Sequence, residues 1–438
     1  MFKKILSMVL VVFMIASLCA SMTSCNNGAN GAANLSESPM PEAELKADFE
    51  VPSDFKVGFI LLHDELSTYD KNFINGVESV KKALNLKDEQ VLFKKNVPES
   101  NACYEAARDL VAEGCKVVFA DSFGHETYMI KAAKEFKDVQ FCHATGTMAH
   151  TEKLANYHNA FASIYQGRYL AGVAAGLKLN EMIDSGKITK EKAKIGYVGA
   201  FTYAEVMSGY TSFFLGARSV CPTATMAVTF TGSWYDETAE KNAAIKLIEK
   251  ENCVLISQHA DSMGAPSACE ERKVPNVSYN GHTVESCPET FIVSSRIDWA
   301  PYYMHMIKNT VAGTDIGYDW CGGPKDGSVV LTGINEKAAA SGTVAKLKEV
   351  AAKLISGEIK VFDTSTFTLT VDGTKNAGAV VDENGKLTSY KADVDTDDAY
   401  TPDTEVVSDG YFHESEYRSA PYFNLEIDGI ELLDRNYG

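Results

Sequence analysis

The feature that most constrains this chain is a strand–helix alternation that runs its course once and then begins again. Phe55-Lys56-Val57-Gly58-Phe59-Ile60-Leu61-Leu62 opens it with a nearly unbroken apolar run, as expected of a strand buried on both faces. Helical spacing follows over Asn72 to Leu84, through Phe73, Val77 and Val80. Strands at Val91 to Phe93, Val117 to Ala120 and Val139 to His143 then alternate with helices over Ala102 to Ala112 and Thr127 to Phe136, and Asn159 to Phe161 adds a short strand. Gly114 stands where a helix C-cap is needed. After a helix from Tyr165 to Leu177 the pattern restarts at Lys194-Ile195-Gly196-Tyr197-Val198-Gly199. It continues through strands at Thr225 to Phe230, Val254 to Ile256, Val277 to Tyr279 and Phe291 to Ser294. Alternation at this spacing predicts doubly wound parallel sheets, and its restart predicts two similar α/β lobes facing across a cleft.

In open parallel sheets ligands bind beyond the carboxyl ends of the strands. The run Val254 to Ile256 breaks there into Gln258, His259, Asp261 and Ser262, and the next strand ends in Asn280-Gly281. An imidazole, a carboxylate and an amide gathered this tightly point to a ligand site, the alternative being ordinary loop polarity. Beyond Phe291 come Arg296-Ile297-Asp298-Trp299-Ala300-Pro301, a helix to about Val311, a strand at Ser328 to Leu331 and a helix over Thr343 to Ser356. The remainder reads as strand and turn, with a strand at Thr366 to Val371 and a tight hairpin at Asn384-Gly385.

The first residues are a targeting signal. Lys3-Lys4 precedes an apolar stretch from Ile5 to Ala20, short of the about 20 residues of a membrane span. Ser21-Met22-Thr23-Ser24-Cys25 then resembles a bacterial lipobox, whose cysteine, Cys25, becomes the lipid-modified N-terminus; secretion after cleavage elsewhere is the alternative. Asn26 to Glu50, rich in Asn, Gly, Ala, Ser, Pro and Glu, reads as a flexible tether. The net charge of -18, or -20 once Lys3 and Lys4 leave with the signal, argues against a nucleic-acid partner, which demands a basic face. Eight cysteines follow Cys25 without a CxxC pair, so no zinc site is expected and the thiols read as mostly packed.

The order and spacing of three segments resemble the basic membrane protein (Bmp) family of ABC-transporter substrate-binding lipoproteins. They are Gly167-Arg168-Tyr169-Leu170-Ala171-Gly172-Val173-Ala174-Ala175, Lys194 to Gly199, and Gly232-Ser233-Trp234-Tyr235-Asp236, and the likeness covers about residues 55 to 370. The resemblance implies a type I periplasmic-binding fold: two doubly wound lobes joined by hinge strands, closing on a purine nucleoside or related ring compound. On that template residues 51–161 and 295–322 form the N-terminal lobe and residues 162–294 and 323–375 the C-terminal lobe. Residues 376–438 are a C-terminal extension of strands and turns. The hinge crossings fall near Phe161, Ser294 and Gly323. The partners implied are a small-molecule ligand, an ABC permease and, through the anchor, the extracytoplasmic face of the cell membrane.

Carried over by position, Thr68-Tyr69-Asp70 stands where the family has Ser-Phe-Asn, whose aromatic ring stacks on the base, and Trp234 stands at the second aromatic position. A flat heterocycle calls for an aromatic plate on each side, each stack contributing about 1 kcal/mol; ordinary packing is the other role open to these rings. The acidic residue and lysine that grip ribose in nucleoside-binding members are replaced here by Asn280 and Ile297. His143-Ala144-Thr145-Gly146 together with the His259 loop resembles a branch associated with free bases such as adenine. The expected ligand residues are Tyr69, Asp70, Thr145, Gly146, Trp234, His259, Asp261, Asn280 and Trp299, with Asp261 accepting a ring or exocyclic N–H. A nucleoside is the second candidate; a sugar receptor and a nucleoside-processing enzyme are the readings from other classes. No Gly-x-Ser-x-Gly elbow, Gly-x-Gly-x-x-Gly, phosphate loop or His-Glu-x-x-His is present. A binding protein without catalytic residues, cofactor or metal is therefore expected.

Overall fold

The computed structural model describes residues 35–394 and 401–435. The leader with Cys25, the tether as far as residue 34 and part of the acidic loop between Asp393 and Asp403 lie outside the described residues.

The first run of elements is β1 (Val57–Ile60), α1 (Thr68–Ala83), β2 (Val91–Lys94), α2 (Asn101–Ala112), β3 (Val117–Ala120), α3 (Glu126–Glu135), β4 (Gln140–Ala144), the single turn α4 (Ala149–Glu152) and β5 (Tyr157–Ala162). The second is α5 (Ile164–Asp184), β6 (Lys194–Gly199), α6 (Ala204–Val220), β7 (Thr225–Phe230), α7 (Glu237–Glu249), β8 (Leu255–Gln258), α8 (Gly264–Arg272), β9 (Asn276–Tyr279) and β10 (Phe291–Ile297). Then come α9 (Ala300–Ala312), β11 (Asp319–Gly322), β12 (Val329–Leu331) and α10 (Thr343–Ser356). β1 and β3 are buried along their whole length, which is why their sequences carry no polar alternation. Ser67, Ser100 and Asp236 cap α1, α2 and α7 by accepting the amides of Asp70, Ala102 and Ala239.

Two sheets result. One has the order β11-β5-β4-β3-β1-β2 and is parallel throughout; the other has the order β12-β10-β9-β8-β6-β7 and ends in a late strand, Ile430–Leu432. In the second sheet only β12 runs antiparallel. The chain passes between the sheets at Ser163, at Asp298 and between Gly322 and Ser328. These crossings are bonded to one another: Ser163 N donates to Gly322 O at 2.8 Å, and Asp298 N to Ser328 O at 2.8 Å. The second crossing falls later than the expected Ser294, because β10 stays paired with β12 as far as Ile297 opposite Val329.

Two other expectations are corrected. The tether does not run free to Glu50: Ser36 N donates to Ile334 O at 2.9 Å, Met40 is buried, Leu45 and Phe49 pack on the core, and Asp48 pairs with Lys308. The apolar residues scattered among the polar ones hold this arm along the crossings. Thr366 to Val371 forms no strand, only a bridge from Leu369 to Ile427, while the Asn384-Gly385 hairpin joins Val380–Val381 to Leu387–Ser389. The C-terminal extension packs back onto the body of the protein. Phe362 stacks on Phe423 with centroids 4.2 Å apart, and Ile430 pairs with Met226 of β7.

Trp299 also stands away from where the sequence put it. It is 1% exposed, stacked on Phe73 of α1 at 4.5 Å and edge-on to Phe119 of β3 at 5.7 Å. It therefore serves as core under α1 rather than as a ligand wall. Trp299→Ala is expected to lower stability by about 3–5 kcal/mol through the cavity it leaves, measured by denaturant unfolding. A loss under 1 kcal/mol would mean the ring is not an essential part of this core.

Candidate functional site

The carboxyl ends of both sheets face each other across a partly open cavity of about 380 Å³. From the N-terminal sheet it is lined by Leu62, His63, Tyr69, Asp70, Ser122, Phe123 and Thr145; from the C-terminal sheet by Glu205, Trp234, His259, Asp261 and Tyr279.

On the N-terminal side α1 begins at the cavity. Tyr69 donates its hydroxyl to Asp121 O at 2.8 Å and rests edge-on against Phe73, which fixes its ring. Asp70, in the first turn, accepts the His63 amide at 2.7 Å, while Asp121 accepts the Leu62 amide at 3.0 Å. Burial first, and the charge of Asp70 second, push the Asp121 carboxyl well above its ordinary range. His143 contacts Ser122 O through Nε2 at 2.7 Å, and burial brings it down to about 4, so it is neutral. Thr145 holds a φ of +65°, a costly value for a β-branched residue. Gly146 is required behind it: a Cβ there would lie 1.9 Å from Asn159 Nδ2.

On the C-terminal side the wall is built on a buried cation. Arg168 of α5 is fully buried. It donates to Ser278 O at 3.2 Å, Ser295 Oγ at 3.3 Å, Tyr197 Oη at 3.2 Å and Ser257 Oγ at 2.8 Å. Its guanidinium lies over the rings of Tyr197, Phe213 and Tyr279. His259 packs on Tyr279 at 4.5 Å, and burial lowers its pKa while Glu205 opposes the shift. Asp261 is raised well above its ordinary value, mainly by burial and then by the charges of Glu240, Asp70 and Glu205. Trp234 meets Phe201 edge-on at 4.9 Å, and Tyr203 stacks on Phe201 at 5.0 Å.

Direct bonds hold the lobes together. Thr68, the first residue of α1, donates its amide to Asp261 O at 3.0 Å and its hydroxyl to the same oxygen at 3.1 Å. Asn72 Nδ2 donates to Asn280 Oδ1 at 3.2 Å, and Asn280 Nδ2 donates to Asp261 Oδ1 at 3.1 Å. Aromatic pairs Phe123–Tyr203 and His63–Tyr235 close the rim at 5.3 and 5.4 Å. Thr68, Asn72 and Asn280 face a second, larger groove of about 1230 Å³, so this bonded row stands between groove and cavity.

Of the residues named from the sequence, Tyr69, Asp70, Thr145, Trp234, His259 and Asp261 line the cavity. Asn280 is bonded to Asp261 but faces the groove, Gly146 lies behind Thr145, and Trp299 is elsewhere. Sequence reasoning missed Leu62, His63, Ser122, Phe123, Glu205 and Tyr279. Ser122, Phe123 and Glu205 follow β3 and β6 at their carboxyl ends, so the rule that found the His259 loop could have found them. Among the described residues no lysine or arginine lines the cavity. Three carboxyls, aromatic faces and small size suit a flat ligand rich in N–H donors and oppose a phosphate.

A two-lobed α/β protein with a cavity between its lobes has the form of a ligand-binding receptor. The family described as ABC transporter substrate-binding protein, PnrA-like, matches residues 62–365, and the chain belongs to it. A purine-binding protein of Brucella abortus is 31% identical over 282 residues, covering 63% of this chain and 76% of that one. A Haloferax volcanii protein named as a glucose-binding protein of an ABC transporter is 31% identical over 253 residues, covering 57% of this chain and 60% of its own. A solute-binding protein of Aeropyrum pernix superposes with a TM-score of 0.59 at 17% identity, covering 73% of this chain and 94% of that one, which shows the fold. The family is one of extracytoplasmic substrate-binding proteins, and the Brucella and Aeropyrum proteins are both named as binding proteins.

Glu240 fastens the site loop, accepting the Ser262 amide at 3.1 Å, and burial raises it from 4.5 to about 7. The folded state holds this proton more tightly than the unfolded chain, so the contribution to stability is full below about pH 4.5 and is lost as pH rises through about 7. Glu240→Gln keeps the acceptor oxygen. It should flatten the fall in stability between pH 5 and 8 by about 1–3 kcal/mol, read by denaturant unfolding across pH; an unchanged slope would show that Glu240 does not titrate there.

Proposed function

We propose that this protein is the lipid-anchored receptor of an importer, anchored through Cys25, trapping a purine base or closely related flat heterocycle and delivering it to a membrane permease. The observation that carries this reading is the cavity between the lobes, with Tyr69 on one lobe, Trp234 on the other and the carboxyls of Asp70, Glu205 and Asp261 lining it. The rings supply faces for stacking, while Asp261, whose pKa burial raises, and Glu205 supply edge contacts. The name of the Brucella relative supports a purine. Closure follows from a ligand that touches both lobes and so favours the arrangement in which they meet.

A base is favoured over a nucleoside by the row Thr68, Asn72, Asn280 and Asp261. A ribose would have to break these bonds to reach the groove, and Ile297, buried in β10, offers it no charge.

Mass spectrometry of ligand carried through purification, followed by calorimetry with adenine, guanine, adenosine, inosine, ribose and glucose, tests the reading. Adenine should bind more tightly than adenosine. Asp261→Ala should weaken binding by about 2 kcal/mol. Tighter adenosine binding would mean the row opens; binding of ribose or glucose alone would overturn the stacking account. Cys25→Ala should move the protein from the membrane fraction to the soluble one, and retention in the membrane would remove the anchor.

A further inference from the structure

Two buried polar groups on the cavity wall are without a well-made hydrogen bond. His259 and Tyr279 are each 2% exposed, and neither His259 Nε2 nor the Tyr279 hydroxyl makes a hydrogen bond. Such groups are costly unless a partner arrives, and both line the cavity.

The hydrogen bonds behind them have a direction. A guanidinium can only donate. Arg168 Nη2 lies 3.2 Å from Tyr197 Oη, so the tyrosine oxygen accepts there and its own hydrogen is free to point elsewhere. His259 Nδ1 stands 3.4 Å from that oxygen and is the acceptor within reach. Burial keeps the imidazole neutral, and a neutral ring that accepts at Nδ1 carries its hydrogen at Nε2. That nitrogen faces Glu205 Oε1 at 3.5 Å, too long for a good bond.

We propose that Arg168 is a positioning residue for the binding site, fixing His259 as its Nε2–H form through Tyr197, so that the wall offers a ligand a donor from His259 beside an acceptor oxygen of Glu205. The ligand edge that answers this pair has a ring-nitrogen acceptor next to an N–H, as aminopurines do. That last step rests on the purine reading; the assignment of the imidazole does not. Arg168 and Tyr197 stand behind the wall, so their influence on binding is exerted through His259.

Nitrogen NMR of histidine-labelled protein separates the two imidazole forms, with the His259 signal identified by its loss in His259→Gln. The wild type should show hydrogen at Nε2. Tyr197→Phe breaks the relay without altering a cavity-lining residue. It should populate the Nδ1–H form and weaken adenine binding about tenfold, with the unfolding midpoint little changed. Arg168→Met should act alike if it folds, and Tyr197→Phe stands as the test if it does not. Hydrogen at Nδ1 in the wild type, or a Tyr197→Phe protein with both form and affinity unchanged, overturns the proposal. The expected shift between forms in a protein that binds neither adenine nor guanine would support the relay while refuting the purine reading.

Discussion

Arg168 places a full positive charge in the interior of the C-terminal lobe, and among the described residues no carboxylate pairs with it there. An isolated buried charge is costly, so the surrounding structure has to be arranged around it. Side-chain oxygens of Ser257, Ser295 and Tyr197, the carbonyl of Ser278 and three aromatic faces replace the lost water. Those partners sit on β8, β9, β10 and β6, while Arg168 itself is in α5, just past the first crossing between lobes. The same contacts that solvate the charge therefore fix the carboxyl edges of four strands relative to the crossing helix. The His259–Tyr279 wall inherits its rigidity from that arrangement.

The interlobe bonds are of another kind. Each net hydrogen bond contributes about 1 kcal/mol, and the row from Thr68 to Asp261 contains only a few of them. Rings at the rim add contact without filling the cavity. A lobe pair held this lightly responds to whatever occupies the space between, because a ligand reaching Tyr69 and Trp234 together adds contacts of similar size to those already there.

Much of the fold was legible because strands such as β1 and β3 are buried along their whole length and read as apolar runs, with segments of helical spacing between them. The rule for strand ends found His259 and Asp261, and the family resemblance supplied Tyr69, Asp70, Thr145 and Trp234, all of which line the cavity. What neither could show were facts of packing. Trp299 precedes Ala300-Pro301 at a helix start, and nothing in that order tells whether the ring turns to the cleft or beneath α1. The second crossing depends on how long β10 pairs with an antiparallel neighbour distant in sequence. Arg168 read as one residue of a family segment. The docked arm from Leu35 was hidden in polar composition, since Met40, Leu45 and Phe49 are too widely spaced to form a periodic pattern.

The late strand Ile430–Leu432 covers the edge of β7. Its neighbour in the sheet lies some two hundred positions earlier in the chain, so this edge is among the last to find its partner as synthesis proceeds from the amino end. A chain cut or stalled before Ile430 would carry both ligand-facing walls yet expose β7 as a bare template for pairing with other chains. Completeness of the sheet thus serves as a check on completeness of synthesis: fragments able to form most of the receptor would still be marked by an open edge for aggregation or proteolysis.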